Sequence, residues 1–180
     1  MSGFRRLARR EVHRWHVWCL VEERYVAPTG EQFERTFVES PGAVSVVAVD
    51  EQRRVVLIRQ WRASLDRIVW EVPAGMRDKE GEDPAECGRR ELLEETGYLA
   101  SSVEHMVTFH PSAGVLSGTH HIYLAHGLSF VGAQVEGPEE EQLQVELVDL
   151  DEAVAMVERG DITASSAVIG LLMAARRLAP

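Results

Sequence analysis

Runs of aromatic, β-branched and other apolar residues suggest strands between about residues 14 and 72 and again from about residue 103, and apolar positions recur with helical spacing near the C-terminal end. Arg14–Tyr25 (RWHVWCLVEERY) is rich in aromatic and β-branched residues and predicts a strand; Pro28-Thr29-Gly30 marks a turn, and Gln32–Val38 is the returning strand of a hairpin. The first dozen residues, polar and Arg-rich, read as a loose arm. Pro41-Gly42 breaks the chain before AVSVVAVD, a continuous apolar run that suits a buried strand, with VVLIRQW as its partner and Ile68–Val72 as a shorter strand. Residues 73–81 (PAGMRDKEG) read as a loop. Asp83 then fits an N-cap with Pro84 at the first helical position, a helix follows over Ala85–Thr96, and Gly97 ends it. Strands are predicted at Val103–Phe109 and His120–Ala125, and at LQVELVDL after the acidic linker GPEEEQ. Helices are predicted over Asp151–Arg159 and Thr163–Leu178, the second with Val168, Leu171, Leu172 and Ala175 at helical spacing. Strands, a central helix, more strands and closing helices point to an α/β sandwich with mixed sheets.

Composition narrows the function. A chain of 180 residues, 45% apolar and 27% charged, is ordinary for a globular protein with a substantial core. Nineteen basic against twenty-nine acidic residues give a net charge of −10, which argues against non-specific binding to nucleic acid or anionic membrane. Small anionic ligands stay open, because carboxylates recruit hard divalent cations that screen phosphates. Cys19 and Cys87 form no CxxC pair and read as buried free thiols in a reducing compartment. With no apolar run long enough to span a membrane and no uninterrupted apolar run before His13, the expectation is a cytoplasmic protein without a secretory signal.

The helix after residue 83 carries the chemistry. Glu91 and Glu95 are four apart and share one face, and Glu94 flanks it. Clustered like charges destabilise a helix by a few tenths of a kcal/mol, so they call for a cation; oxygen donors without His or Cys favour magnesium or manganese over zinc. Arg90, four from both Glu86 and Glu94, can orient carboxylates. A bare Glu-Leu-Leu-Glu-Glu face reads as solvated ion pairs. The Gly-bounded loop before it changes that reading, because a tight loop can expose backbone carbonyls as further ligands.

These residues resemble the Nudix box, G-x5-E-x7-R-E-U-x-E-E-x-G-U, with U aliphatic or aromatic. Every fixed position from Glu82 to Gly97 matches and Tyr98 takes the last U; the departure is six residues rather than five between Gly75 and Glu82. PGAVSVVAVD, VVLIRQWR, WEVPAG and GDITASSAVIGLL look like the ADP-ribose pyrophosphatase branch of that family. The resemblance implies a Nudix-type α/β/α sandwich with a mixed β-sheet over residues 41–180, preceded at 1–40 by an arm and β-hairpin exchanged within a homodimer. It implies Mg²⁺ (or Mn²⁺) held by Glu91, Glu94, Glu95 and the backbone carbonyl of Ala74. Arg59, Arg62 and Glu71 are implied substrate contacts, each also readable as a strand-end surface charge. The general base falls on the acidic loop, at Glu139 or Glu141, and a run of glutamates there also reads as a solvated loop.

The implied reaction is hydrolysis of a nucleoside diphosphate linked to a sugar, with ADP-ribose the first candidate. Other sugar nucleotides, dinucleoside polyphosphates and nucleoside triphosphates are alternatives, as is a non-hydrolytic nucleotide-sensing Nudix domain. Gly118 stands where the resemblance leads one to expect a Glu against the terminal ribose. Trp15, Trp18 and Tyr25 either line a base-binding slot or pack in the core or dimer. His120 and His121 alternate across a strand, so only one of them faces any given site.

Overall fold

The computed structural model describes residues 3–133 and 142–179, which form two compact units. The first contains residues up to Gly42 together with His110–Thr119. Its strands β1 (Arg5–Trp15), β2 (Trp18–Val26) and β3 (Gln32–Glu39) make an antiparallel sheet in the order β1-β2-β3. The expected arm is therefore a strand, and the strand expected over Arg14–Tyr25 is interrupted by a turn at His16, whose φ is 47°. The turn pairs Trp15 with Trp18. β2 buries alternate residues, Cys19, Val21 and Glu23. Glu23 is only 2% exposed and holds Arg6 Nη1 at 2.7 Å; its other oxygen accepts from the Tyr25 hydroxyl. Residues 110–119 join this unit through Val38, whose N–H donates to Val115 O at 2.7 Å and whose carbonyl accepts from Ser117 N at 3.0 Å. Gly42, at φ 92°, leaves no room for a side chain: a Cβ there would lie 2.5 Å from Thr119 O.

The second unit holds the remaining elements: β4 (Ala43–Ala48), β5 (Arg54–Arg62), β6 (Arg67–Glu71), β7 (Ala74–Met76), α1 (Pro84–Thr96), β8 (Tyr98–Phe109), β9 (His120–Phe130), β10 (Gln144–Asp149), α2 (Leu150–Arg159) and α3 (Ser165–Arg177). One sheet runs β7-β4-β9-β8 and the other β10-β5-β6. The β4–β9 pair is parallel and the others are antiparallel, so the four-stranded sheet is mixed. Neighbouring residues of β4 face opposite ways. Val46 meets α1 at Gly88, where a Cβ would be 3.0 Å from its side chain, and Val47 meets α3 at Gly170, at 2.7 Å. Helices thus cover both faces, and the α/β/α sandwich with a mixed sheet is the observed architecture. The larger core joins Val47, Leu57, Ile122, Leu150 and Leu171; a smaller one joins Val46, Val56, Leu92 and Ala125. Both cysteines are buried free thiols. No helix among the described residues is long and apolar enough to cross a membrane.

Candidate active site

The central helix starts and stops where its end residues dictate. Asp83 accepts from Ala85 N at 2.8 Å, Pro84 sits at the start, and Gly97 (φ 76°) ends the helix with its N–H on Leu93 O at 2.9 Å. Cys87, Gly88 and Leu92 form the stripe that faces the sheet. Beside it, the carboxylates reach β7, three residues that had read as loop and that pair Ala74 with Ser45 and Gly75 with Val44.

Glu95 is 5% exposed and accepts a hydrogen bond from the Ala74 N–H at 2.9 Å. The Glu91 carboxyl lies over the Cα of Gly75, where an added Cβ would fall inside the carboxyl group. A side chain at position 75 would therefore force the Glu91 carboxyl to move. Arg90 gathers the rest. Its Nε and Nη2 donate to the two oxygens of Glu82 at 3.0 and 3.2 Å, and its Nη1 lies 2.7 Å from Glu91 and 2.8 Å from Glu94. Glu86, expected to share Arg90, instead pairs with Arg89 at 3.3 Å, because Arg90 turns toward Glu82.

The electrostatics follow. Burial pushes the Glu91 carboxyl up to about 7, with Glu94 adding to the rise and Arg90 opposing it. The Arg90 hydrogen bonds hold Glu82 below the usual carboxylate range. Cys87, whose thiol donates to Met76 O at 3.6 Å, is pushed up to about 12 by burial and by Glu82, so it is not a nucleophile.

Among the described residues no three His, Cys, Asp or Glu side chains converge as a ready-made metal cage. Arg90 instead provides the positive charge between Glu91 and Glu94. The donor set is nonetheless all oxygen, and a divalent charge would offset the burial that raises the Glu91 carboxyl beside Glu94, so the residues fit a hard cation.

The other expected residues are placed as follows. Arg62 donates to both oxygens of Glu71, with Nη2 at 2.6 Å and Nε at 3.1 and 3.2 Å, so these two form one unit rather than two separate contacts. Arg59 lies over the Trp70 ring, 5.0 Å from its centre, and donates to Gln144 Oε1 at 3.3 Å. Glu139 and Glu141 lie outside the described residues.

In the first unit Tyr25 stacks on Phe33 at 5.7 Å and lines a cavity of about 410 Å³ with Phe4, Arg35, Phe37 and Leu116. Trp15 and Trp18 do not line that cavity and pack edge to face, 5.9 Å apart. Gly118 is tightly packed: a Cβ there would be 3.0 Å from Ser40 Cβ and 3.2 Å from Gly42 Cα.

The two histidines do face opposite sides. His120 Nε2 is 2.7 Å from Ser45 Oγ, its ring stacks on Phe109, and burial pushes it down to about 4. His121 Nδ1 instead lies 2.9 Å from Thr108 Oγ1. Sequence reasoning missed both contacts, since each partner lies on a different strand.

Residues 39–168 match the family model described as the NUDIX domain. The chain belongs to the Nudix family. Among its relatives is a CMP-5'-(N-acetyl-N-hydroxy-3-aminopropyl)phosphonate hydrolase of Streptomyces rubellomurinus, 40% identical over 81% of this chain and 69% of that protein. Another is an ADP-ribose pyrophosphatase of Bacillus subtilis, 34% identical over 87% of this chain and 84% of that protein. A solved structure of an ADP compounds hydrolase shares the Nudix fold with a TM-score of 0.84 at 20% identity, covering 99% of this chain and 95% of that one. The chain is thus a Nudix pyrophosphohydrolase of the ADP-ribose pyrophosphatase-like branch.

Proposed function

We propose that this protein hydrolyses the diphosphate bond of a nucleoside diphosphate joined to a sugar, using Mg²⁺, with Mn²⁺ as a substitute. ADP-ribose is the first candidate and gives AMP and ribose 5-phosphate. The observation that supports this reading is the convergence of Glu91 and Glu95 on the short strand Ala74–Met76, with Arg90 paired to Glu91. In this reading Glu91, Glu94, Glu95 and the Ala74 carbonyl hold the cation. A divalent cation bound there neutralises diphosphate charge and lowers the pKa of a coordinated water. Arg90 orients Glu91 and Glu94 from behind. The Arg62–Glu71 unit and Arg59 take the substrate, Glu71 fixing the angle of the Arg62 fork. Glu139 or Glu141 removes the proton from the attacking water. Residues 1–40 act as a region exchanged between the subunits of a homodimer, and 41–180 as the hydrolase domain.

A second reading has a specific basis. Gly118 carries no carboxylate to meet a ribose and is packed closely enough that a side chain there would push Ser40 aside by a few tenths of an ångström, and one relative is named for a CMP-phosphonate rather than a sugar nucleotide. A nucleoside monophosphate joined to a non-sugar group is therefore an alternative substrate. The test is a panel of ADP-ribose, other sugar nucleotides, a CMP-phosphonate, dinucleoside polyphosphates and triphosphates with Mg²⁺, read by mass spectrometry. Nucleoside monophosphate released from ADP-ribose supports the first reading, and preference for the CMP-phosphonate supports the second. Turnover of triphosphates alone contradicts both.

A further inference from the structure

A buried polar atom lies beneath the Arg62–Glu71 pair. β5 and β6 run without a register break: Ile58 stands opposite Glu71, Gln60 opposite Val69 and Arg62 opposite Arg67. Residues two apart on a strand share a face, and so do cross-strand partners, so Ile58, Gln60, Arg62, Val69 and Glu71 project to one side. Val56, on that same side, belongs to the core that holds Leu92 of α1, whereas Val55 and Leu57 enter the other core. The cluster therefore faces the side of the sheet on which α1 packs. Arg62 and Glu71 stand two register pairs apart, with Gln60 and Val69 between them. To hold the Glu71 carboxyl with Nη2 at 2.6 Å and Nε at 3.1 and 3.2 Å, the Arg62 side chain runs back along the strand over Gln60. This accounts for the burial of Gln60, a polar residue near a strand end that is only 5% exposed.

Gln60 Oε1 has no hydrogen-bond partner among the described residues. A buried acceptor left unmet weighs against the state that contains it, and any state that supplies a donor is favoured by comparison. Of its neighbours on this face, Ile58 and Val69 carry no polar side-chain atom and an ionised Glu71 only accepts, so Arg62 is the donor within reach. At rest, Arg62 directs its Nε and Nη2 hydrogens to Glu71. We propose that Gln60 is a positioning residue, whose amide oxygen receives the Arg62 guanidinium when a substrate diphosphate draws Arg62 off Glu71. The inference rests on the reading of Arg62 as a substrate contact. In the exchange a phosphate replaces the carboxylate as the ionic partner of the guanidinium. The acceptor unmet at rest is satisfied in the bound state, which offsets part of the cost of opening the Arg62–Glu71 pair. Gln60 touches no reacting atom and acts only through Arg62.

The test is a double-mutant cycle on the full-length protein, read by calorimetric binding of ADP in the presence of Mg²⁺. Gln60→Met keeps the length of the side chain and removes the acceptor. It should weaken ADP binding about tenfold, the scale of one hydrogen bond to a charged group. It should also unfold in denaturant no earlier than the wild type, because the unmet acceptor is gone from the resting state. Arg62→Met should weaken binding at least as much. In that background Gln60→Met should change the affinity less than about twofold, since the group it acts through is already absent. Losses that simply add would make Gln60 a structural residue and overturn the proposal. Earlier unfolding of Gln60→Met would do so too, by showing the amide partnered at rest. Weakened binding in Arg62→Met with none in Gln60→Met overturns this inference alone and leaves Arg62 as a substrate contact. Undiminished binding in Arg62→Met, or no binding of ADP by the wild type, removes the substrate reading of Arg62 and the role of Gln60 with it.

Discussion

A methyl group at Gly75 would displace the Glu91 carboxyl, which occupies the place of its Cβ. Gly75→Ala should displace Glu91 by about 1 Å and lower turnover by about 100-fold, while circular dichroism shows the fold retained. Unchanged turnover would detach Glu91 from the chemistry. His120 gives a pH prediction. Its folded value is about 4 against an ordinary 6.5, so between those values the unfolded chain holds a proton that the folded one does not. The associated stability is present above about pH 6.5 and drains away as pH falls through about 4. Thermal unfolding should thus lose more between neutral and acid pH in the wild type than in His120→Gln; parallel curves would contradict it. Spacing in the sequence made the helix carboxylates legible, because one helix fixes their geometry. The Gly75 contact, the Arg62–Glu71 pair and the Ser45–His120 bond were not legible, because each joins different elements.

At the scale of elements, α1 was readable nearly to the residue. Asp83, Pro84 and Gly97 are local signals, and the structure uses all of them. Asp83→Ala should cost about 1 kcal/mol of stability by removing the bond to Ala85 N, measured by denaturant unfolding. Gly97→Ala should cost more, since its φ is 76° and a Cβ would lie 2.6 Å from Ala133 N. β1 was misread as an arm because every one of its residues is exposed, leaving no apolar alternation to detect. Its strand character comes from pairing with β2, where Arg6 and Arg10 find Glu23 and Glu22. β7 was missed for a different reason: three residues with a glycine carry no periodic signal, and pairing with β4 alone makes them a strand.

For the whole molecule, strand order and helix placement reproduced the expected α/β/α architecture, while the discontinuous first unit was invisible. Residues 110–119 join β3 through backbone bonds to Val38, which no side-chain pattern announces. The proposed homodimer predicts a solution mass about twice the 20.1 kDa of the chain by light scattering; a monomer would remove the exchanged-strand reading. The claim on which the function rests is that the α1 carboxylates gather a divalent cation. Mn²⁺ binding, followed by electron paramagnetic resonance in the wild type and in Glu95→Gln, tests it without recourse to any substrate. Saturable binding in the wild type, weakened at least about tenfold in a folded Glu95→Gln, is the predicted result; equal binding by the two proteins would contradict the account.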